Sequence, residues 1–409
     1  MTIILPFKIP DAETRASADG PPDHPPPSGP GRRGTAPGTS AATWVESFAC
    51  HRRRPQEVYW LKENAELLSL LRVMQQRAGG PAGAGGIGGE AALSPLRPFC
   101  DGAARQLRFF PQYYRFILSI CLDYEDLTGT PAAAAELAHW AAAQGLVEAE
   151  LSDLQRAEAQ QLLARRGIAL PVDPGLADRL RRFTRRSATF AIPNRKAAYE
   201  LTHIVFYLSD YGWRDPGLDA RALQSLTYAG LLACLDQDLD LLAEICIALR
   251  YAGATPPPYW EQLLSHATAQ FTLTPDGFDG RMDGYHACFV TLWWQQVTAV
   301  GRRTEPACRL PAGAGQALHI AAPATRSLLA PLSVWLMEAG AGPGRTAPAL
   351  WQDALSHMAA HSGPDARKQL RNLQNSTPAF EAFWQIFSRA GDCHARYRRI
   401  GAGGLSLSP

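Results

Sequence analysis

Apolar residues recur at the spacing of an α-helix in almost every segment that lies between two glycine- or proline-rich breaks. In the stretch EVYWLKENAELLSLLRVMQQR, apolar residues occupy positions 58, 61, 65, 68, 71 and 72, which places them on one side of a helix. No pair of alternating apolar runs flanks a short turn, so no β-hairpin is predicted. The pattern therefore predicts an all-α fold.

Similar helical spacing continues through the rest of the chain. It is found in residues 174–186, 194–211, 219–234, 236–252, 257–269, 284–301, 324–339, 347–361, 364–374 and 378–389. Short turns that carry Gly or Pro join these segments, and short connections make neighbouring helices antiparallel. Such a series of helical hairpins forms either a superhelix or an α/α toroid. No fixed-period repeat is found, which disfavours a regular repeat array.

Composition divides the chain into four parts. Residues 1–43 are rich in Pro, Gly, Ser and Ala and are predicted to be disordered, because they bury too little apolar surface. Residues 44–302 are predicted to form a helical domain with a flexible Gly-rich loop at 79–92. Residues 324–400 are predicted to add C-terminal helices to the same domain, and residues 401–409 form a disordered tail.

The charge and the apolar runs limit the partners and the location. The 409 residues include 40 basic and 38 acidic side chains, for a net charge of +2, so neither a nucleic acid nor an anionic membrane is expected as a partner. No stretch of about 18 apolar residues is free of charge and proline, which argues against a membrane span. The first residues do not resemble a signal peptide, and the eight cysteines contain no C-x-x-C pair. We predict a cytoplasmic protein with buried thiols.

The stretch RKAAYELTHIVFYLSDYGW, from position 195 to 213, predicts an apolar helix that carries ionisable side chains. At about 100° per residue, one stripe of this helix contains Tyr199, His203, Phe206 and Asp210. Glu200 and His203 are three residues apart, so they are surface neighbours and close enough to hold one metal ion. Asp210 lies in the last turn, where a carboxylate opposes the helix dipole, and a local partner is expected for it.

Two later helices carry side chains of the same kind. Glu244 lies in the middle of LLAEICIALRYAG, and Asp283 and His286 begin DGYHACFVTLWW. Carboxylate-x-x-His on two helices, with another carboxylate between them, is how helical bundles hold non-haem iron or manganese. The predicted ligands of such a divalent metal are Glu200, His203, Glu244 and His286. The complete pattern needs a carboxylate from an early helix, for which Glu125 and Glu136 are candidates.

Two other interpretations of these helices remain open. In the first, the pocket contains no metal, and its catalytic residues are His203, Asp210 and His286. In the second, the polar groups are structural. Asp283 is then the N-cap of its helix, and Glu244 pairs with an arginine such as Arg250 or Arg195.

Weaker patterns point to other sites. His357 and His361 are four residues apart, but the glutamate of an H-E-x-x-H zinc site is absent. Asp236, Asp240 and Glu244 share one helix face, as in helices that hold Mg²⁺ and a diphosphate, although acids are also common at a helix start. The adjacent pair Cys393 and His394 is a third candidate, for zinc.

The segments AAYELTHIVFYLSDYG, LLAEICIALRYAG and DGYHACFVTLWW resemble an uncharacterised family of all-helical bacterial proteins. The resemblance rests on the stretch L-T-H-x-x-F-Y-x-x-D-x-G and on a later Tyr-His, and it covers roughly residues 109–300. It implies that His203, Asp210, Tyr285 and His286 are motif positions. It implies no particular activity.

Two functions are therefore expected. The first is an enzyme of bacterial specialised metabolism that acts on a small, largely apolar substrate in a His/Asp/Glu-lined pocket. The residues expected to bind this substrate are Tyr199, Phe206 and Tyr285. The second is a non-catalytic helical scaffold or partner-binding protein. Convergence of His203, Glu244 and His286 on one cavity would favour the enzyme.

Overall fold

The computed structural model describes residues 41–77, 89–168, 173–274, 283–298, 317–340 and 350–388. In these residues the regular structure is helical apart from one sheet of two short strands, which confirms the predicted all-α class. None of the described helices is long and apolar enough to cross a membrane. The predicted tail 401–409 and most of the predicted disordered segment 1–43 lie outside the described residues.

The regular elements follow one another in this order. The first helices are α1 Ala41–Glu46, α2 Val58–Arg77, α3 Glu90–Leu93, α4 Arg97–Phe109, α5 Tyr114–Thr128, α6 Ala134–Ala143, α7 Asp153–Ala164, α8 Leu176–Thr184 and α9 Ser187–Phe190. The remaining elements are α10 Arg195–Leu208, α11 Ala220–Asp236, α12 Leu239–Tyr251, α13 Pro258–Thr268, β1 Thr272–Thr274, α14 Tyr285–Thr298, β2 His319–Ala321, α15 Leu329–Gly340, α16 Trp351–Ser362, α17 Pro364–Ser376 and α18 Phe380–Ser388.

Six of these helices pack in a closed ring. Helix α2 contacts α5, α5 contacts α7, α7 contacts α10, α10 contacts α12, α12 contacts α14, and α14 contacts α2. Four of the helices between them in sequence pack against two successive ring members each: α6 on α5 and α7, α8 on α7 and α10, α11 on α10 and α12, and α13 on α12 and α14. Alternating ring and outer helices are the arrangement of an α/α toroid, one of the two forms that the sequence leaves open.

The ring helices and the outer helices differ in their apolar pattern. In α12 every residue from Leu241 to Leu249 is buried, as expected of a helix that is apolar all round. In α8 the buried residues are Leu176, Leu180 and Thr184, a single stripe typical of a helix with one face in solvent. Glu244, in the middle of α12, is therefore held inside the fold.

Local features fix both ends of α10. At its start, the Asn194 side chain accepts a hydrogen bond from the Ala197 amide at 3.0 Å, which satisfies one of the free donors of the first turn. After its end, Asp210, Tyr211 and Gly212 have φ values of 48°, 57° and 90°. A Cβ atom at Gly212 would lie 2.5 Å from the ring of Tyr251, so only glycine fits this turn.

The sheet joins two segments that are distant in sequence. Its strands β1 and β2 are antiparallel, with Leu273 opposite Ile320. The Gly284 amide donates to the Ile320 carbonyl at 2.7 Å, so β2 also holds the start of α14. The sequence does not predict these strands, because each has three residues and neither belongs to a local hairpin.

The C-terminal helices cover one side of the ring system. Helices α15, α17 and α18 contact α11, and α17 also contacts α13. Trp351 packs edge-on against Phe380 and Trp384, which joins α16 to α18. The described cysteines are free thiols.

Candidate active site

Five ionisable side chains from four ring helices lie together, and we call them the central cluster. They are Glu66 on α2, His203 on α10, Asp240 and Glu244 on α12, and His286 on α14. Asp240 and Glu244 are four residues apart, so they lie one above the other on the same side of α12. Because the ring is closed, α2, the first of these helices in sequence, packs against α14, the last.

Asp240 and His286 form an ion pair. The His286 Nδ1 atom lies 2.9 Å from Asp240 Oδ1, and the Tyr199 hydroxyl donates to Asp240 Oδ2 at 2.8 Å. Burial raises the pKa of Asp240, but the charge of His286 and these two hydrogen bonds outweigh burial and bring the pKa to about 2. Burial lowers the pKa of His286, but the Asp240 and Glu66 carboxylates raise it above its ordinary value.

Glu244 and His203 lie deeper in the fold. Their side chains are 0% and 1% exposed, and His203 Nε2 lies 3.7 Å from Glu244 Oε1. The Thr202 hydroxyl donates to Glu244 Oε2 at 2.5 Å. Burial and the nearby charge of Asp240 raise the pKa of Glu244 to about 7, and burial holds the pKa of His203 well below its ordinary value. Both environments therefore disfavour the charged form.

Glu66 is the residue of the central cluster that the sequence analysis missed. It is 3% exposed, and neither of its carboxylate oxygens accepts a hydrogen bond of normal geometry from the described residues. Its Oε1 atom lies 3.6 Å from His286 Nε2 and 3.9 Å from Lys62 Nζ. A signal for it exists in the sequence, because Glu66 lies inside the apolar run of α2 as Glu244 does in α12.

The two early carboxylates that the sequence offered instead lie elsewhere. The Glu125 carboxylate binds Arg166 at 2.8 Å and accepts hydrogen bonds from the amides of Ala132 and Ala134. Glu136 is exposed on the outer helix α6. Glu66, and neither of these two, is therefore the early-helix carboxylate that lies in the central cluster.

Two predicted site residues, one on α10 and one just after its end, lie outside the central cluster. The Glu200 carboxylate, which is about one-third exposed, lies 3.9 Å from Lys196 Nζ. Asp210 accepts a hydrogen bond from Gln161 Nε2 at 2.9 Å, which supplies the local partner expected for it. Neither belongs to the group of donor atoms that Asp240, Glu244 and His286 form.

The residues predicted to bind a substrate have different surroundings. Tyr199 contacts the central cluster through its hydrogen bond to Asp240. Phe206 is fully buried, where it packs against His203, Tyr211, Tyr251 and Trp293. Tyr285 is buried next to His286, Phe48 and Phe289.

Asp283, the carboxylate of the predicted Asp-x-x-His pair, holds the start of α14. Its Oδ1 atom accepts a hydrogen bond from the Tyr285 amide at 3.0 Å, and its Oδ2 atom lies 2.5 Å from Arg52 Nη2. The N-cap interpretation of the sequence agrees with these contacts, and Asp283 is not one of the grouped donors.

The sequence profile of one protein family matches residues 31–390 of the chain, and its description reads "Domain of unknown function (DUF6902)". The chain belongs to the DUF6902 family. The match confirms the predicted relation to an uncharacterised family. No curated protein matches the chain, and no solved structure does.

In this DUF6902 protein the central cluster offers donors to a cation. Asp240, Glu244 and His286 each supply one ligand atom, and these atoms lie within 4.8 Å of one another. The same side chains can also transfer protons, since carboxylates and imidazoles are the usual acids and bases of enzymes. The geometry therefore permits both metal chemistry and acid–base chemistry.

Part of the central cluster of the DUF6902 protein is accessible. The side chains of His286 and Asp240 are 13% and 17% exposed, in contrast to those of Glu244 and His203. On the same side, Arg195 Nη2 donates to the Tyr199 hydroxyl at 3.2 Å. Arg195 also lines a surface groove whose other walls are mostly apolar, with Phe190, Ile192, Leu232 and Leu241 among them, and the polar side chains of Asn194, Asp236 and Asp238 line it too.

The weaker patterns of the sequence do not form a second cluster in the described residues. Asp236 accepts a hydrogen bond from Ser327 at 2.7 Å, so it does not join Asp240 and Glu244. His357 and His361 stack at 4.0 Å on α16 without a third ligand group nearby. The Cys393–His394 pair lies outside the described residues.

Proposed function

We propose that the DUF6902 protein is an enzyme and that the central cluster is its reactive centre. The observation that carries the proposal is the convergence of three carboxylates and two imidazoles from four helices of one ring. His203, Glu244 and His286 are among them; their proximity supports an enzyme over a scaffold, and the groove that Arg195 lines contains none of the three. Asp210 is not part of this centre.

The energetics of burial support this proposal. Removing an ionised group from water costs several kcal/mol, on the order of 3–5 or more, unless good partners compensate for it. A fold that needed only stability would gain more from apolar side chains of similar volume at these positions. Glu66 in particular has Tyr285, Lys62 and His286 beside it, but its carboxylate accepts no hydrogen bond of normal geometry from the described residues. Poorly compensated polar groups of this kind are typical of functional sites.

The accessible side of the central cluster gives the residues their roles. His286 and Asp240 are the groups that a substrate would contact, because part of each side chain is exposed. Tyr199 acts as a positioning residue, since its hydroxyl holds Asp240 Oδ2 at 2.8 Å. His203 and Glu244 support this pair from the buried side.

The substrate is proposed to be small and largely apolar. The groove beside Arg195 is the route by which it would approach, because the Arg195–Tyr199–Asp240 hydrogen bonds join the groove to the central cluster. Apolar walls suit an apolar substrate body, and a few polar groups then fix its orientation.

The experiment is a turnover screen without a preselected substrate. The full-length protein is incubated with fractionated metabolites from its source cells, and mass spectrometry follows which compounds disappear. Wild type is compared with H286Q and with the control E200Q, which changes a carboxylate of α10 outside the central cluster. We expect wild type and E200Q to consume the same compound and H286Q to consume at least 100-fold less.

Two results would contradict the proposal. Equal turnover by wild type and H286Q would place the reactive centre elsewhere. The same metabolite profile with and without wild-type protein would favour the non-catalytic scaffold.

A further inference from the structure

We infer that Asp240, Glu244 and His286 bind one divalent transition-metal ion of the first row. The inference deepens the proposed function, on which its catalytic meaning rests. The binding itself is argued from the positions of the donor atoms, from the surroundings of Glu66 and from the charge of the central cluster.

The donor atoms are close to the separation that one ion requires. Metal–ligand bonds to imidazole nitrogen and carboxylate oxygen are about 2.0–2.2 Å long, so ligand atoms on opposite sides of an ion are roughly 4.2 Å apart. The chosen atoms of Asp240, Glu244 and His286 all lie within 4.8 Å of one another. Small side-chain rotations are enough to bring them into a first coordination shell.

Glu66 provides the second, independent observation. It is a buried carboxylate whose oxygens lack a hydrogen bond of normal geometry from the described residues, although the Tyr285 hydroxyl lies next to it, and it faces His286. The two ring nitrogens of His286 face different carboxylates: Nδ1 is 2.9 Å from Asp240 Oδ1, and Nε2 is 3.6 Å from Glu66 Oε1. A histidine that binds a metal through one nitrogen commonly donates its other N–H to a carboxylate. Glu66 is placed for that role.

The charge of the central cluster also favours a cation. Its three carboxylates face two imidazoles and the ammonium of Lys62, which is 3.9 Å from Glu66. Arg195 is engaged with Tyr199 and, at 3.0 Å, with Asp238. A divalent ion that replaces the proton of His286 would, together with the ammonium of Lys62, balance the three carboxylates once Glu244 is ionised.

The donor types narrow the choice of metal. One imidazole and two carboxylates form a mixed nitrogen and oxygen set that suits Fe²⁺, Mn²⁺ or Zn²⁺ better than Mg²⁺ or Ca²⁺, which prefer oxygen alone. Three protein ligands leave coordination positions for water or a substrate, as in catalytic sites. Bound there, the ion would polarise a substrate oxygen or activate a water molecule.

The test is a metal titration of the full-length protein. After treatment with a chelator, Zn²⁺, Mn²⁺ or Mg²⁺ is added and binding is measured by calorimetry. We expect one Zn²⁺ or Mn²⁺ per chain, with an affinity at least 100-fold above that for Mg²⁺. The isosteric variant D240N should weaken binding at least 100-fold, and E66Q about 10- to 100-fold. The variant E200Q, which removes a ligand favoured by the sequence alone, should bind as wild type does.

Circular dichroism and thermal unfolding show whether each variant is folded. If D240N does not fold, E66Q alone provides the comparison with wild type. X-ray absorption of the zinc form should show one nitrogen ligand from His286 among oxygen ligands, and H286Q should lose it. The inference is wrong if wild type binds Zn²⁺ and Mn²⁺ no better than E66Q and D240N, or if E200Q weakens binding as much as they do. Metal binding without turnover would refute the proposed function alone, whereas turnover in metal-free protein would refute the metal's role in it.

Discussion

His286 and Asp240 face each other across the boundary between α14 and α12, with Nδ1 and Oδ1 2.9 Å apart. They are the two members of the central cluster that solvent reaches in part, and each has a second partner. Tyr199 holds the other oxygen of Asp240, and Glu66 lies behind the other nitrogen of His286. The pair therefore joins α2, α10, α12 and α14 as well as providing reactive groups.

A double-mutant cycle should show that this pair is energetically coupled. D240N and H286Q should each lower the free energy of unfolding by about 3 kcal/mol, because each leaves a largely buried charge without its partner. The double variant should lose about 1–3 kcal/mol less than the sum of the two. Urea unfolding in the presence of a chelator measures the pair itself, without bound metal.

The control for this cycle is E200Q combined with H286Q. The Glu200 carboxylate is about one-third exposed and pairs only loosely with Lys196 at 3.9 Å, so its effect should add to that of H286Q within about 0.5 kcal/mol. Additive losses for D240N and H286Q would mean that the short contact contributes no coupling.

The sequence predicts three of the five members of the central cluster, and the reason lies in what helical periodicity can show. His203, Glu244 and His286 are identified because each interrupts an apolar helix. Glu66 interrupts α2 in the same way, but periodicity does not reveal that α2 closes the ring against α14. Asp240 is seen only as part of an acidic run at a helix start, where acids are common for other reasons.

Helical spacing also predicts Glu200 as a metal ligand, whereas its carboxylate lies outside the central cluster. It lies about 60° around the helix from His203, close enough to count as a neighbour when the orientation of the helix is unknown. Tyr199, Thr202 and His203 face the central cluster, whereas Glu200 lies next to Lys196 at the surface. The rotation of α10 about its axis depends on packing against α7, α11 and α12, which one segment of sequence does not define.

Replacing Gly212 by alanine should be unusually destabilising. Its φ is 90°, and an added Cβ would lie 2.5 Å from the Tyr251 ring, which is buried against Phe206 and Trp293. We expect G212A to lower the free energy of unfolding by about 3 kcal/mol, from backbone strain and from the clash. Chemical denaturation followed by tryptophan fluorescence measures the loss.

Gly253 offers a matched control for this substitution. It also has a positive φ, 74°, but an added Cβ would meet nothing within 4 Å. G253A should therefore show the backbone strain alone, about 1 kcal/mol. Equal losses for G212A and G253A would show that the Tyr251 ring moves away without cost.

The Asp126 carboxylate should make stability depend on pH in the acid range. It lies 2.5 Å from Arg165 Nη2 and 3.0 Å from Arg166 Nη2. Burial raises the pKa of Asp126, but the two guanidinium groups outweigh burial and lower it below its ordinary value. Such a group stabilises the fold above its unfolded pKa of about 4, and this contribution is lost as the pH falls through the folded value.

Unfolding measured from about pH 6 to pH 2 should therefore differ between wild type and D126N. The variant should be about 1 kcal/mol less stable near neutral pH, a modest loss because the carboxylate is partly exposed. Its stability should also fall less between about pH 4 and pH 2. The control is D101N, which changes a carboxylate that is 58% exposed in a surface pair with Arg97 and should cost about 0.5 kcal/mol or less near neutral pH. Parallel curves for D126N and wild type would contradict the prediction.

The Thr202 hydroxyl should matter more than its size suggests, because it donates at 2.5 Å to the fully buried Glu244. T202V keeps the volume of the side chain but leaves that carboxylate without this donor, so we expect a loss of about 1–3 kcal/mol. Thr291 on α14 is also buried, yet among the described residues its hydroxyl bonds only to the Cys288 carbonyl, at 2.9 Å within the same helix. T291V should cost about 1 kcal/mol or less. If the two variants lose the same free energy, Glu244 does not depend on Thr202.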